Sequence, residues 1–279
     1  MSIKKIQNRL KNPSGMPRLS VSDRVKALER LAQQGDPSVV EELSHALQDK
    51  SPTVRAAAAE FLGDLNAKAA ITPLIKALSD RDSEVRMSAT SSLGSILRGS
   101  RSPRQLIRML EDPNALVRIE AAESLGAIGD RKALPALWRA MYDRSPLVRS
   151  YAAGAIGAFG RTRDIPELEQ RLKKERSDTV KVGIYQALYE LGRKDVLPPL
   201  ISLLMESSDY RVRIATAKIL AEVVLDKSNA PTILDALRRA LKREETIAGR
   251  SAIRSSLKIV RQHMTPKSKS SGHIQISVS

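Results

Sequence analysis

The sequence predicts an all-α protein, a solenoid of about seven to eight helical hairpins. A Val-Arg step, or a close variant of it, recurs eight times with gaps of 31, 31, 32, 31, 32, 32 and 37 residues. Self-similarity at such a period is typical of solenoids. Within each period the apolar residues keep the spacing of one helical face. The aligned basic residues are Arg24, Arg55, Arg86, Arg118, Arg149, Lys181, Arg213 and Arg250.

Each repeat is predicted to hold two helices joined by a tight turn. The second helix begins near the Val-Arg step, as at Val54, which is followed by apolar Ala58, Leu62 and Leu65. The first helix has proline in or near its first turn, where the missing N–H is tolerated. An acidic or proline-bearing turn, such as Asp112-Pro113, separates the two helices. The proline column is Pro73, Pro103, Pro135, Pro166, Pro198 and Pro231.

The best-formed repeat joins Val117-Arg118, an Ala-rich helix and the closing segment Leu-Gly-Ala-Ile-Gly-Asp at 125–130. This pattern resembles the HEAT repeat, in the short bacterial and archaeal form named after phycobilisome lyases, and covers residues 20–263. The resemblance implies a right-handed α-solenoid. It does not specify a function, because similar arrays serve as scaffolds, adaptors, chromophore lyases, a diiron hydroxylase and DNA glycosylases.

Composition restricts the setting of the protein. Apolar residues make up 42% of the chain but aromatic residues only 3%, so the core is expected to be aliphatic. The chain has no cysteine, which excludes disulfides and thiolate metal sites. No stretch reaches the 18 or so apolar residues of a membrane span. We therefore expect a cytoplasmic monomer.

The net charge of +16 is concentrated at the two ends of the chain. Residues 1–30 hold eight basic and two acidic side chains, and residues 238–279 hold ten and two, so these ends account for +6 and +8. The middle of the chain is nearly neutral. A nucleic acid or another polyanion is therefore expected to bind at the ends, if it binds at all.

The repeated arginine is predicted to be structural. An acid stands six positions before it in nearly every repeat, and a paired arginine attracts phosphate poorly. The predicted structural ladder consists of Asp49, Arg55, Asp80, Arg86, Asp112, Arg118, Asp143 and Arg149, with Glu175 before Lys181 and Glu244 before Arg250.

A polar stripe is predicted on the second helices, three, six and ten positions after the repeat valine. At 100° per residue these positions lie opposite the face of small residues. We treat the stripe as a possible concave surface for a polar peptide or a basic segment. Its candidate binding residues are Glu60, Asp64, Glu120, Glu123, Tyr151, Gln186 and Glu190.

Small residues five and nine positions after the valine, such as Ala59 and Gly63, should let neighbouring repeats approach closely. In the last repeat the same positions are Arg254 and Lys258. Two interpretations stay open: a polar cap on the end of the array, or a site for an anionic partner. The candidate basic face is Arg250, Arg254, Lys258, Arg261, Arg239 and Lys242, with Lys4, Lys5 and Arg9 at the other end.

Both termini are predicted to lie outside the solenoid. Residues 1–19 form a basic amphipathic segment, with Ile3, Ile6 and Leu10 on one helical face, that acts as a cap or as an arm. Residues 264–279 lack periodicity and are predicted to be disordered.

The sequence offers no catalytic, cofactor-binding or metal-binding residues. A diiron hydroxylase of this fold uses His-Glu pairs, whereas His45, His263 and His273 are not followed by glutamate. A HEAT-like glycosylase needs an aromatic cleft, and Trp138 is expected in the core. Two functions remain: a non-catalytic scaffold or adaptor that binds protein partners, or a nucleic-acid-associated factor that contacts phosphate through its basic ends.

Overall fold

The computed structural model describes residues 19–33, 39–223 and 227–264, which form fifteen α-helices and contain no strand. The chain divides into two compact units, Met1–Lys194 and Asp195–Ser279. Successive helices pair into hairpins, so the predicted all-α repeat architecture is confirmed. Apart from Leu19 and Met264, the predicted N-terminal arm and the predicted disordered tail lie outside the described residues.

Odd numbers denote the second helices of the repeats and even numbers the first helices. The first unit contains α1 (Val21–Ala32), α2 (Val39–Ala46), α3 (Pro52–Asp64), α4 (Ile71–Ala77), α5 (Ser83–Ile96), α6 (Arg104–Arg108), α7 (Ala115–Ile128), α8 (Leu134–Ala140), α9 (Pro146–Phe159), α10 (Ile165–Lys174) and α11 (Asp178–Glu190). The second unit contains α12 (Leu197–Glu206), α13 (Tyr210–Glu222), α14 (Ala230–Arg243) and α15 (Ile247–Met264).

Local sequence sets the helix ends. The Asp82 side chain accepts hydrogen bonds from the first backbone N–H groups of α5, and Asn114 does the same for α7. Pro52 and Pro146 occupy the first turns of α3 and α9, where no N–H is needed. Gly129, with φ of 75°, ends α7 in the left-handed conformation that glycine adopts most readily.

In the first unit, the second helices form the more closely packed layer. Each odd-numbered helix from α1 to α9 packs on the next odd-numbered helix, that is, on the second helix of the following repeat. An even-numbered helix packs mainly on the second helix of its own hairpin. The residue eight positions after each repeat valine is almost fully buried at the centre of this layer. These core residues are Leu62, Leu93, Leu125, Ile156 and Leu188.

Glycine lets the second helices approach. A Cβ atom placed on Gly157 of α9 would lie 2.4 Å from the Cα atom of Ala187 in α11, and one on Gly63 would lie 2.6 Å from Ser92 Oγ. The prediction that small residues permit close stacking is therefore confirmed. The close approach of the two helices also lets the Ser92 hydroxyl donate to the Ala59 carbonyl of the preceding repeat at 2.7 Å.

The second unit repeats the same hairpin packing in its own core. Helix α13 packs on α15, and each packs on the first helix of its own hairpin. In α15, glycine replaces the repeat valine at position 249. A Cβ atom there would lie 2.4 Å from Glu244 Cδ, so glycine leaves room for the buried Glu244 side chain.

Among the described residues, none of the helices combines the length and apolar character needed to cross a bilayer.

Two alanine substitutions in α9 should have opposite effects on stability. Gly157→Ala would force apart α9 and α11, and we expect it to lower the free energy of unfolding by about 1 to 3 kcal/mol. Gly154→Ala meets only the end of the Gln186 side chain at 3.4 Å, so its better helix propensity should stabilise the protein by up to about 1 kcal/mol. Urea unfolding followed by far-UV circular dichroism measures both. Equal effects of the two substitutions would contradict the stacking role of Gly157.

Candidate protein-binding surface

A ladder of ion pairs links successive repeats. The Nε and Nη2 atoms of Arg55 donate to the two carboxylate oxygens of Asp80, both at 2.7 Å, while Nη1 donates to the Asp49 carbonyl at 2.8 Å. Such bidentate, charge-assisted hydrogen bonds are among the strongest in proteins. We call this pair of parallel hydrogen bonds a fork. The same fork joins Arg86 to Asp112, Arg118 to Asp143, Arg149 to Glu175 and, in the second unit, Arg213 to Glu244.

The predicted pairing is wrong by one repeat. The acid six positions before an arginine supplies its backbone carbonyl, whereas the carboxylate partner comes from the following repeat. Glu175 therefore binds Arg149 rather than Lys181, and Lys181 contacts Asp178 of its own helix at 3.0 Å. Likewise Glu244 binds Arg213 rather than Arg250.

The ladder carboxylates are held in the ionised form. Burial, the largest single influence on Asp80, Asp112 and Asp143, raises the pKa of each carboxyl group. Hydrogen bonds from the partner arginine and from a backbone N–H two residues further on, together with the attraction of nearby arginines, outweigh burial, so each pKa lies below its ordinary value. The pKa of Glu244 falls to about 2, mainly because Arg213 donates to its carboxylate.

Solvent reaches the polar face of the second helices. The term second-helix stripe here denotes four positions of each second helix. They are the three predicted positions, which lie three, six and ten residues after the repeat valine, and the position directly before it. Among the predicted stripe residues, Glu60, Asp64, Glu123 and Glu190 are exposed, and Tyr151 is 40% exposed. The two others are half-buried: Glu120, and Gln186, which donates to Glu190.

Position three of the stripe is less open than the sequence indicates. Ser88, at this position in α5, is buried because it faces the preceding repeat, where its hydroxyl donates to Glu60 at 3.2 Å. Gly183 of α11 likewise lies against the Ser150 carbonyl of α9. Exposure is therefore greatest one position before and six and ten positions after the valine.

Sequence reasoning missed the position directly before the valine. Leu116 of α7 and Leu147 of α9 occupy it, and their exposed fractions are 58% and 48%. Tyr151 lies one helical turn after Leu147 on the same face. A helical wheel places this position between the sixth and the tenth, so the existing periodicity could have found both leucines. We call Leu116, Leu147 and Tyr151 the apolar cluster.

The stripe of the first unit is acidic although the whole chain carries a charge of +16. On α3, α5, α7, α9 and α11, the stripe positions contain no lysine or arginine. Their acidic residues are Glu60, Asp64, Glu84, Glu120, Glu123 and Glu190. A cationic segment is therefore electrostatically favoured on this face.

The predicted basic residues of the second unit lie on two helices that pack together. Arg250, Arg254, Lys258 and Arg261 are exposed on α15, and Lys242 is exposed on α14. Arg239 is also exposed but bridges Asp235 at 3.0 Å. Lys4, Lys5 and Arg9 lie outside the described residues.

Trp138 does not lie fully in the core. It is half-buried on α8, whereas Leu137 beside it is completely buried. In the described part of the chain, His, Asp and Glu side chains form no group of three that could hold a metal ion.

The family model for HEAT repeats matches residues 19–94, 103–189 and 170–258. No protein with a curated description matches the chain.

Three solved structures are similar to the chain. One, of the CpcE and CpcF complex of phycocyanin lyase from Nostoc sp., is 22% identical, with 89% of this chain and 97% of that chain covered and a TM-score of 0.57. The Escherichia coli protein YibA is 20% identical, with coverage of 87% and 99% and a TM-score of 0.47. Human deoxyhypusine hydroxylase is 20% identical, with coverage of 93% and 96% and a TM-score of 0.38. At these identities the first likeness shows the fold alone.

Glu244→Gln should reduce the acid sensitivity of the protein. The Glu244 pKa is about 2 in the folded chain against an ordinary value of 4.5, so near pH 3 the unfolded chain binds more protons. The stabilisation is complete above the ordinary value and is lost as pH falls towards the folded value. Between pH 6 and pH 3 we expect the wild-type free energy of unfolding to fall by about 2 kcal/mol more than that of Glu244→Gln.

Urea unfolding at the two pH values measures this difference. Glu245→Gln is the matched control, because Glu245 is exposed beside the buried Glu244. The control should keep the wild-type pH dependence. A Glu244→Gln variant that loses as much stability as wild type on acidification would contradict the assignment.

Proposed function

Because the chain belongs to the HEAT-repeat family, we propose that it is a non-catalytic scaffold or adaptor that binds protein partners through the second-helix stripe of its first unit. The observation that supports this function is the apolar cluster on α7 and α9. Exposed apolar side chains rimmed by polar residues mark interaction surfaces. Location in the cytoplasm and a monomeric state stay predictions.

The stripe has the composition of a binding surface. Leu116, Leu147 and Tyr151 supply area that is lost from water when a partner binds, and aromatic residues are enriched at the centres of interfaces. Glu120 and Glu123 on α7 lie one and two turns beyond Leu116 and supply a polar rim. A broad, shallow contact of this kind suits a protein partner better than a small molecule, which needs a deep pocket.

A non-catalytic role of the ladder is supported by the state of its carboxylates, whose pKa values are lowered. At active sites such groups usually face a cleft in which they meet the substrate. Here Asp80, Asp112 and Asp143 are each enclosed by a bidentate arginine and a backbone N–H. Their lowered pKa values are therefore accounted for by the ladder.

Affinity capture with the full chain as bait tests the scaffold function. The variant Leu116→Ser/Leu147→Ser/Tyr151→Ser removes the apolar cluster, and we expect it to lose specifically captured proteins by at least about tenfold, which corresponds to about 1.4 kcal/mol. Ile247→Ser is the control, because Ile247 is 89% exposed but belongs to α15 of the second unit. Quantitative mass spectrometry compares the three baits, and calorimetry on a purified partner repeats the comparison. Equal capture by wild type and the triple variant would refute this function.

A second candidate function, binding of nucleic acid or another polyanion, is favoured by the face that α14 and α15 present. Arg250, Arg254 and Lys258 are exposed along one side of α15. The nearby Glu244 does not neutralise them because its carboxylate is bound to Arg213. Exposed cations of this kind would bind phosphate without sequence preference.

Titration of DNA and RNA oligonucleotides at two salt concentrations tests the second candidate. Binding at about 50 mM salt should weaken steeply as salt rises, because each neutralised phosphate releases a counterion. Arg250→Glu/Arg254→Glu/Lys258→Glu should abolish it. The control Arg81→Glu/Lys132→Glu/Arg163→Glu makes the same change of net charge at scattered exposed positions and should retain most of the affinity. Absence of binding at low salt, or an equal loss in both variants, would reject a defined site.

A further inference from the structure

Resting on the proposed scaffold function, we propose that the apolar cluster and its acidic border bind one class of partner, an amphipathic helix with lysine or arginine along one flank. Helix-in-groove recognition uses apolar anchors spaced over two turns of the bound helix. The cluster and its border supply the complementary features, apolar contact and negative charge.

The spacing of the apolar cluster fits a helix that lies across α7 and α9. Packed helices lie about 8 to 10 Å apart, so Leu116 and Leu147, at equivalent positions of neighbouring repeats, are separated by about that distance. Residues seven apart in a helix are about 10.5 Å apart along its axis. Anchors at positions i and i+7 of the partner therefore reach the two leucines, and Tyr151, one turn along α9 from Leu147, lies beside the line that joins them.

The charges around the cluster select the flank of the bound helix. Glu120 and Glu123 border the cluster on the side towards the C-terminal ends of the second helices, and Glu84 borders it on α5. On the opposite side, Arg81 and Arg144 are exposed in the interhelical turns. Cations are thus favoured along the flank that faces Glu120 and Glu123, and disfavoured along the flank that faces the turns.

The ladder arginines near these turns do not change the preference for cations along the Glu120 and Glu123 flank. Arg118 and Arg149 lie near the same turns, but each is paired with a carboxylate of the next repeat, at 2.7 and 3.2 Å. Their charges are locally balanced. The charged groups bordering the apolar cluster outside the ladder are Glu84, Glu120 and Glu123 of the stripe, and Arg81 and Arg144 in the turns.

Two synthetic 18-residue peptides test the inference by fluorescence anisotropy with the full chain. The first has leucines on one helical ridge, lysines along one flank and glutamines elsewhere. The second has the same composition but distributes its leucines around the helix. We expect the first peptide to bind with a Kd at least tenfold lower than that of the second.

Variants of the protein separate the two parts of the surface. Leu116→Ser/Leu147→Ser should weaken the first peptide at least tenfold. Glu120→Gln/Glu123→Gln should weaken it severalfold and flatten its salt dependence. The control Glu41→Gln/Glu167→Gln changes two exposed glutamates on first helices and should leave the Kd unchanged. Circular dichroism checks that the substitutions leave the fold intact.

Equal binding of the two peptides, or wild-type binding by the leucine variant, would overturn the inference. This failure is distinct from failure of the scaffold function. If cellular partners are lost from the triple variant while the first peptide does not bind, the scaffold function stands and the partner is not a cationic helix. If the triple variant captures the wild-type set of proteins, the scaffold function itself fails.

Discussion

The fork between an arginine and the carboxylate of the following repeat is the interaction on which the array depends. Each carboxylate also accepts a hydrogen bond from a backbone N–H of its own turn, as Asp80 does from Asp82. One acid thus shapes the turn within its repeat and attaches that turn to the arginine before it. Because the pairs are largely buried, loss of either partner would leave a charge without compensation, which typically costs several kcal/mol.

The ladder fixes which helix faces are left for other molecules. Residues eight positions after the valine fill the core, glycines such as Gly63 and Gly157 are covered by the next repeat, and the arginine column is occupied at the turns. On the described helices α3, α5, α7, α9 and α11, most exposed side chains belong to the stripe. The stripe is acidic although the chain as a whole is positively charged. The surplus positive charge belongs to residues 1–30 and 238–279, whereas the acidic stripe belongs to the helices between them.

The period of the sequence was sufficient to predict the helices, the hairpins and the face of small residues. It could not predict the partner of each arginine, because Asp49 and Asp80 stand at constant spacings from Arg55 and both spacings recur along the chain. Only the superposition of one turn on the next decides between them. The exposure of Leu116 and Leu147 was available from a helical wheel, but the predicted stripe did not include the position directly before the valine. Burial at Ser88 depends on contact with a neighbouring repeat and is invisible within one period.

The direction of the pairing has a consequence for how such a chain changes length. In the first unit, each ladder arginine binds a carboxylate that lies 25 or 26 residues later in the sequence. Duplication or deletion of a whole repeat of 31 or 32 residues keeps an arginine opposite a carboxylate at each new junction, since the ladder repeats with that period. A longer connection can also keep its pair, because the fork from Arg213 to Glu244 in the second unit spans 31 residues. Growth by duplication of whole repeats therefore keeps the ladder intact, and the second-helix stripe lengthens by one helix each time.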